Sequence, residues 1–531
     1  MLRIISQLRD DLGYRRIGAG IEALERLRPQ IESLAPGGPH AGILLGLIAQ
    51  WVDAGFDSPE LLTCLLSRFP APARAELPLI DYLHLRMAEG VIDMSREDYD
   101  PAIAHFRFVQ SLENEVRGDP ELFAIANFWT GRCLRKTGQY DEALAYIIHG
   151  EELALACGYL QMAAITQVTQ SWLAFQKGQL DHALAMLQRA WEALSQTDDY
   201  LNRGNIQSAH GRIARRQGRY DAAVQYFESA LAEYRAGGGG QLQMARALQN
   251  LAFVKRLRAL QLQRELDRIA ASRRSGGSPA GTTTPLRSQV EELRAEAAGN
   301  VEESMVIYAR HNHHKGIAGG QIIRGFLRLD AGDLESAGSE AAAAFHHGEE
   351  KRDYFVMARA RTLQCIIEHA ALEEQVGVAA LHREAAQAFA RDAVNFAGHT
   401  QNRRLLARAC VWQGLTHAAG SNPDLEAARR CCEQASSLLQ PDAAKQQYVW
   451  EELETLKAAV VLASPIEPRL RAWSAGIVPD TSFQRLTEEF ARVVIPKVWE
   501  REGRKVSRVA ERLSISPKKV RRILQSVGEL K

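Results

Sequence analysis

Residues 504–525 concentrate the side chains best suited to chemistry with a polyanion. Arg504, Lys505 and Arg508 precede Lys518, Lys519, Arg521 and Arg522, with Ser507 and Gln525 among them. Lysine and arginine neutralise phosphates, a serine hydroxyl bonds phosphate oxygen, arginine fits the acceptor edge of guanine and glutamine that of adenine. Two short amphipathic helices must position these groups. The first, Val506 to Ser514, buries Val506, Val509, Ala510 and Leu513. The second opens on Ser516, an N-cap residue, with Pro517 at N1, and buries Val520, Ile523 and Leu524; Ile515 joins the same core. The cations are left for solvent or ligand. From Arg485 to Lys531 there are 13 Lys/Arg and 6 Asp/Glu, whereas the whole chain carries only +1, so the remaining residues are net acidic by six. Polyanion-seeking charge is thus confined to one end. A helix over Ser482–Arg501 is expected before them, with Phe483, Leu486, Phe490, Val493, Val494 and Val498 on its apolar face and Pro496 bending or dividing it.

This succession resembles the C-terminal helix-turn-helix of the Fis family, which also forms the tail of bacterial enhancer-binding activators. Ser507 matches the family's hydroxyl position, Ala510 its second alanine, Leu513 its leucine and Ile515–Ser516 its Ile-Ser pair. Lys505, Val509, Ser514 and Pro517 depart from it, standing in place of an asparagine, the first alanine, the turn glycine and an arginine. The resemblance implies that the second tail helix crosses the phosphate backbone while the third enters the major groove. Lys518, Arg522 and Gln525 would then face base edges, and Arg504, Lys505, Ser507, Arg508 and Lys519 or Arg521 would face phosphates. One such module buries little surface, so useful specificity implies a homodimer on two half-sites of double-stranded DNA. The alternative is a basic bundle that docks on a protein. No ATPase core accompanies the tail.

Upstream, the strongest signal is an internal repeat. Gly131-x6-Gly138-Gln-Tyr-Asp-Glu-Ala143, Ser171-x6-Gly178-Gln-Leu-Asp-His-Ala183 and Gly211-x6-Gly218-Arg-Tyr-Asp-Ala-Ala223 align without gaps at a spacing of 40 residues. Ile147 and Gly150, Leu187 and Ala190, and Phe227 and Ala230 continue the pattern. Weaker copies start at Gly90, Gly325 and Gly414. The pattern resembles the tetratricopeptide repeat, a helical hairpin whose family period is 34 residues. It implies that the small residue admits close helix approach and that the second glycine closes the first helix in left-handed geometry. Asn127, Gln167 and Gln207 replace the family's tryptophan.

Stacked hairpins turn their first helices towards a concave face. Relative to the closing glycines, the inward positions carry Phe128, Trp129, Arg132, Arg135 and Lys136, then Trp172 and Phe175, then Arg212, Arg215 and Arg216. Aromatic rings beside arginines would suit an acidic or mixed peptide or protein segment. The same aromatic residues could instead be core, and the same arginines simply solvated.

The fold class expected is all-α: a tetratricopeptide-like helical-hairpin solenoid with a small C-terminal three-helix helix-turn-helix domain. Residues 1–75 read as an N-terminal helical cap or degenerate repeats, 76–274 and 286–464 as two solenoid halves, 275–285 as a flexible linker, 465–480 as a hinge, and 481–531 as the tail domain. An enzyme is not expected. Gly237–Gly240 lacks the Lys-Ser/Thr of a phosphate loop, and Gly316–Gly320 lacks a preceding strand. His311, His313 and His314, with His346 and His347 one hairpin away, lack the i,i+4 spacing of a zinc helix, so neither metal nor cofactor is expected. Seven cysteines without a C-x-x-C read as small buried hydrophobes of a reducing compartment. No apolar run spans a membrane and no signal peptide is recognisable, so the expected location is cytoplasmic. Together these features imply a DNA-binding transcriptional regulator whose solenoid senses or recruits a protein or peptide. The alternative is a non-enzymatic scaffold whose basic tail mediates protein–protein interaction.

Overall fold

The computed structural model describes residues 2–530 apart from 34, 36–37, 39, 57, 117–118, 239, 275–282, 420–422, 440–447, 464–472 and 474–481. Among them every regular element is helical. Five helices open the chain: α1 (Leu2–Gly13), α2 (Ile17–Glu32), α3 (Ala41–Ala54), α4 (Pro59–Ser67) and α5 (Ala71–Ala75). Eight antiparallel hairpins follow, each packed on the next: α6 (Leu79–Ser95) with α7 (Tyr99–Gln110), α8 (Pro120–Thr137) with α9 (Tyr140–Ala156), α10 (Leu160–Gln176) with α11 (Leu180–Leu194), and α12 (Tyr200–Arg216) with α13 (Tyr220–Ala236). The stack continues through α14 (Gln241–Arg274) with α15 (Thr283–Arg310), α16 (His314–Asp330) with α17 (Leu334–Glu350), α18 (Tyr354–Glu373) with α19 (Ala379–Gly398), and α20 (Arg403–Ala418) with α21 (Leu425–Leu439). α22 (Tyr448–Ala463) packs on α20 and α21. The tail forms α23 (Phe483–Arg501), α24 (Val506–Arg512) and α25 (Pro517–Ser526).

The repeat residues act as their types dictate. Gly138, Gly178, Gly218 and Gly332 hold φ between +73° and +89°, a region that costs other residues steric strain. After each, the chain turns back, as where the Gln139 amide donates to the Leu134 carbonyl at 2.9 Å. The first-position glycines admit the partner helix. A Cβ on Gly131 would lie 2.4 Å from Ile147 Cγ1, one on Gly90 2.4 Å from the Phe106 ring and one on Gly414 3.0 Å from Cys431 Cβ. Phe106, Ile147, Leu187 and Phe227 are fully buried. The weak copies at 90, 325 and 414 are therefore true hairpins.

The fourth unit departs from this pattern. A further 40-residue step places the closing glycine at 258, which is Arg258. Without the glycine that favours left-handed geometry, α14 runs on for 34 residues and pairs along its length with the 28-residue α15. The expected linker 275–285 falls outside the described residues up to 282, and its last three residues open α15. The hinge 465–480 lies outside them but for Trp473.

α23 continues through Pro496 as one helix, so the proline does not divide it. Its buried side agrees only in part with the apolar face expected: Ile495 and Trp499 enter the core with Val498 packed against it, while Phe483 is 83% and Phe490 49% exposed. α24 and α25 pack on the face of α23 that carries Ile495 and Trp499, and Phe483 and Phe490 lie off that face.

Candidate peptide-binding lumen and basic tail

The first helices of seven successive hairpins, α8 to α20, surround a lumen of about 1110 Å³, to which α22 adds Tyr448. All ten inward residues expected from the repeat register line it: Phe128, Trp129, Arg132, Arg135, Lys136, Trp172, Phe175, Arg212, Arg215 and Arg216. They play different parts. Trp129 is 1% exposed and its indole donates to Asp53 Oδ2 at 2.9 Å, and Phe128 is likewise buried. Both are packed as core residues, the alternative left open for these aromatic side chains. Arg132 pairs with the same carboxylate at 2.7 Å, and Arg216 donates to the Phe175 carbonyl. Arg135 lies 4.9 Å over the Trp172 ring, Arg216 4.9 Å over Phe175 and Arg215 5.5 Å over Phe253. These are cation–π stacks.

Fourteen arginines and lysines line the lumen against four carboxylates, Asp53, Glu97, Glu121 and Asp353. Loss of bulk water, then Arg246 and its neighbours, brings the Arg135 guanidinium down to about 9 and Arg212 to about 10. Burial and the same arginines push Lys136 well below the ordinary lysine range. Glu121, shielded from water beside Tyr159, is raised to about 7.

Arg246 on α14, Arg359 on α18 and Arg408 on α20 are lining residues the sequence reading missed. The repeat register could not be carried past Gly218 because α14 lacks the closing glycine that sets it. Tyr448, which stacks edge-on at 5.6 Å against Phe253, had no motif to mark it.

At the rim, His313 Nε2 lies 3.2 Å and His314 Nδ1 3.3 Å from the Glu97 carboxylate, bridging the α6–α7 turn to the α15–α16 turn. The hydrogen bond from His313 holds Glu97 down to about 2. Among the described residues no group of histidines, cysteines and carboxylates could hold a metal, and His311 is exposed. Burial pushes the Cys365 and Cys410 thiols up to about 12, which leaves them protonated and unreactive. Gly316 and Gly320 sit inside α16 against Tyr308 and Met305, so their role is close packing. Among the described residues no helix is long and apolar enough to cross a membrane.

In the tail, Val509, Ala510, Val520, Ile523 and Leu524 bury against Ile495 and Trp499, a core drawn from the tail alone. Ser516 Oγ accepts from the Lys519 amide at 3.2 Å, capping α25. Ser514, at the turn, holds φ +52°. Arg504, Lys505, Ser507, Arg508, Lys518, Lys519, Arg521, Arg522 and Gln525 are all exposed. Arg504 stacks 5.5 Å over Trp499, and Arg522 lies 3.6 Å from Glu488.

Comparison with known proteins agrees with this architecture. The tetratricopeptide repeat family matches residues 208–239, the α12–α13 hairpin. No curated protein sequence matches the chain. Among solved structures, a Rap protein complexed with Competence and Sporulation Factor is similar with a TM-score of 0.53 and 13% identity, over 75% of this chain and 98% of that one. A plasmid-borne Rap conjugation gene regulator, solved with a Phr peptide, is similar over 75% of this chain and 96% of that one, with a TM-score of 0.42 and 12% identity. The chain thus carries a tetratricopeptide repeat and has the fold of the TPR-like helical solenoids.

Proposed function

We propose that the protein is a non-enzymatic regulator whose lumen captures a short peptide and whose tail, as a helix-turn-helix, binds double-stranded DNA. The observation that carries the DNA reading is α25. Its apolar side is used up within the tail core, while Lys518, Lys519, Arg521 and Arg522 stand in solvent. A bundle docked on the solenoid through this helix would cover them. Ser514 supports the Fis-like reading, because it takes the left-handed turn where that family has glycine. The peptide reading rests on a walled lumen slightly larger than ordinary small-molecule pockets. It is supported by the Rap protein of similar fold, which was solved complexed with Competence and Sporulation Factor.

A homodimer fits the same reading. Phe483, Leu486, Phe490 and Val493 follow the 3–4–3 spacing of a coiled-coil seam, and the two phenylalanines are exposed. Sequencing DNA that co-purifies with the full chain tests the proposal. Enrichment of recurrent sites is expected, and recovery of DNA no different from that of a chain ending at Pro479 would overturn it.

A further inference from the structure

We infer that the lumen recognises its peptide through a carboxylate, anchored on Arg135 and Lys136 of α8, Arg212 of α12 and Arg246 of α14. This deepens the peptide reading and rests on it. Four lumen cations are neutralised by a carboxylate: Arg15 pairs with Asp199, Arg132 with Asp53, Lys315 with Asp353 and Arg408 with Glu452. The four anchor residues form no ion pair among the described residues. Glu97, whose charge reaches Lys136, is held by His313 and His314. Arg135 Nε is buried without a hydrogen-bond partner. Burial first, and the charge of Arg246 and neighbouring arginines second, lower the proton affinities of Arg135 and Arg212. Bringing these like charges together opposes folding, whereas an anion placed among them would be attracted by all four.

The geometry favours a carboxylate over a nucleic acid. Single-stranded nucleic acid is held by bases stacked on open aromatic faces. Here arginines already cover Trp172, Phe175 and Phe253. A guanidinium stacked on a ring by its face keeps its N–H edge free, and that edge matches the two oxygens of a carboxylate. The carboxylate could be the peptide's C-terminus or an acidic side chain.

Fluorescence anisotropy on the full chain, with labelled hexapeptide and oligonucleotide probes at ~0.15 M salt, tests this. Hexaglutamate should bind, and hexaglutamine amide should bind roughly tenfold more weakly or worse. Comparing hexaglutamate amide with hexaglutamine bearing a free C-terminus tells side-chain from terminal recognition, and binding of either supports the proposal. Arg212→Gln should weaken hexaglutamate roughly tenfold while leaving the melting temperature of the ligand-free protein equal or higher, because a repulsion is removed. A lowered melting temperature with unchanged affinity would show a structural arginine and overturn the inference. So would tighter binding of hexathymidylate, or failure of every probe to bind. A random hexapeptide pool read by mass spectrometry separates the two levels. Retention of neutral peptides equally by wild type and Arg212→Gln overturns the carboxylate anchor yet keeps the peptide reading. Retention of none overturns both.

Discussion

At the residue scale, the inward positions divide into those that hold the solenoid together and those that remain for a ligand. Asp53 collects both the Trp129 indole and the Arg132 guanidinium, joining α3 to α8. Asp53→Ala would leave a buried N–H and a half-buried cation without their acceptor, lowering stability by about 2 kcal/mol or more in urea denaturation. Repeat register placed Trp129 and Arg132 on the inner helix correctly but was silent about Asp53, which lies more than seventy residues earlier and meets them only in the folded chain. His369 gives a pH dependence. Burial lowers its pKa to about 4, and its ring lies 2.9 Å from Thr416 Oγ1, whose hydroxyl donates to the Trp412 carbonyl. Its pKa is thus depressed from 6.5, so between these values the unfolded chain binds the proton and the folded one does not. Stability is full above about pH 6.5 and falls as pH drops towards 4, by at most roughly 3 kcal/mol. His369→Gln should remove that part of the acid sensitivity, read as the difference between the two proteins' melting curves from pH 7 to 4.

At the element scale, legibility followed the glycines. Wherever a small residue and a closing glycine stood seven apart, the hairpin was readable, even in the degenerate copy at Gly325; the copy at Gly90, where Glu97 takes the left-handed turn, was readable from Tyr99, Ala102 and Phe106. Where the closing position held Arg258, helix propensity carried α14 onward, and the longest hairpin of the molecule had no signature. In the tail, the caps and the core of α24 and α25 could be read from the sequence, because both are set within a few residues. The face of α23 could not, since apolar spacing alone does not tell a face that packs inside the tail from one left outside. That exposed seam yields a prediction. Phe483→Glu with Phe490→Glu should lower the apparent mass of the full chain in analytical ultracentrifugation to that of a monomer and leave its helix content unchanged. A wild-type chain that is monomeric at micromolar concentration would remove the coiled-coil seam from the account.

At the scale of the whole molecule, charge separates two tasks. The tail carries exposed cations on a helix whose apolar side is already packed, and the lumen carries enclosed cations that lack carboxylates. Both anion-seeking features sit in a chain of almost zero net charge, so neither follows from overall composition. The DNA-binding tail is the claim on which the regulator reading stands. Changing Lys518, Lys519, Arg521 and Arg522 together to alanine touches only exposed side chains of α25, and the Val520, Ile523 and Leu524 core should hold. The most direct measurement is retention of this variant and the wild type on duplex DNA across a salt series around ~0.15 M, with circular dichroism to follow folding. The account predicts that the variant keeps its helix content and melting temperature but loses retention, while wild-type retention falls steeply with salt. Equal retention of the two proteins at every salt concentration would contradict it.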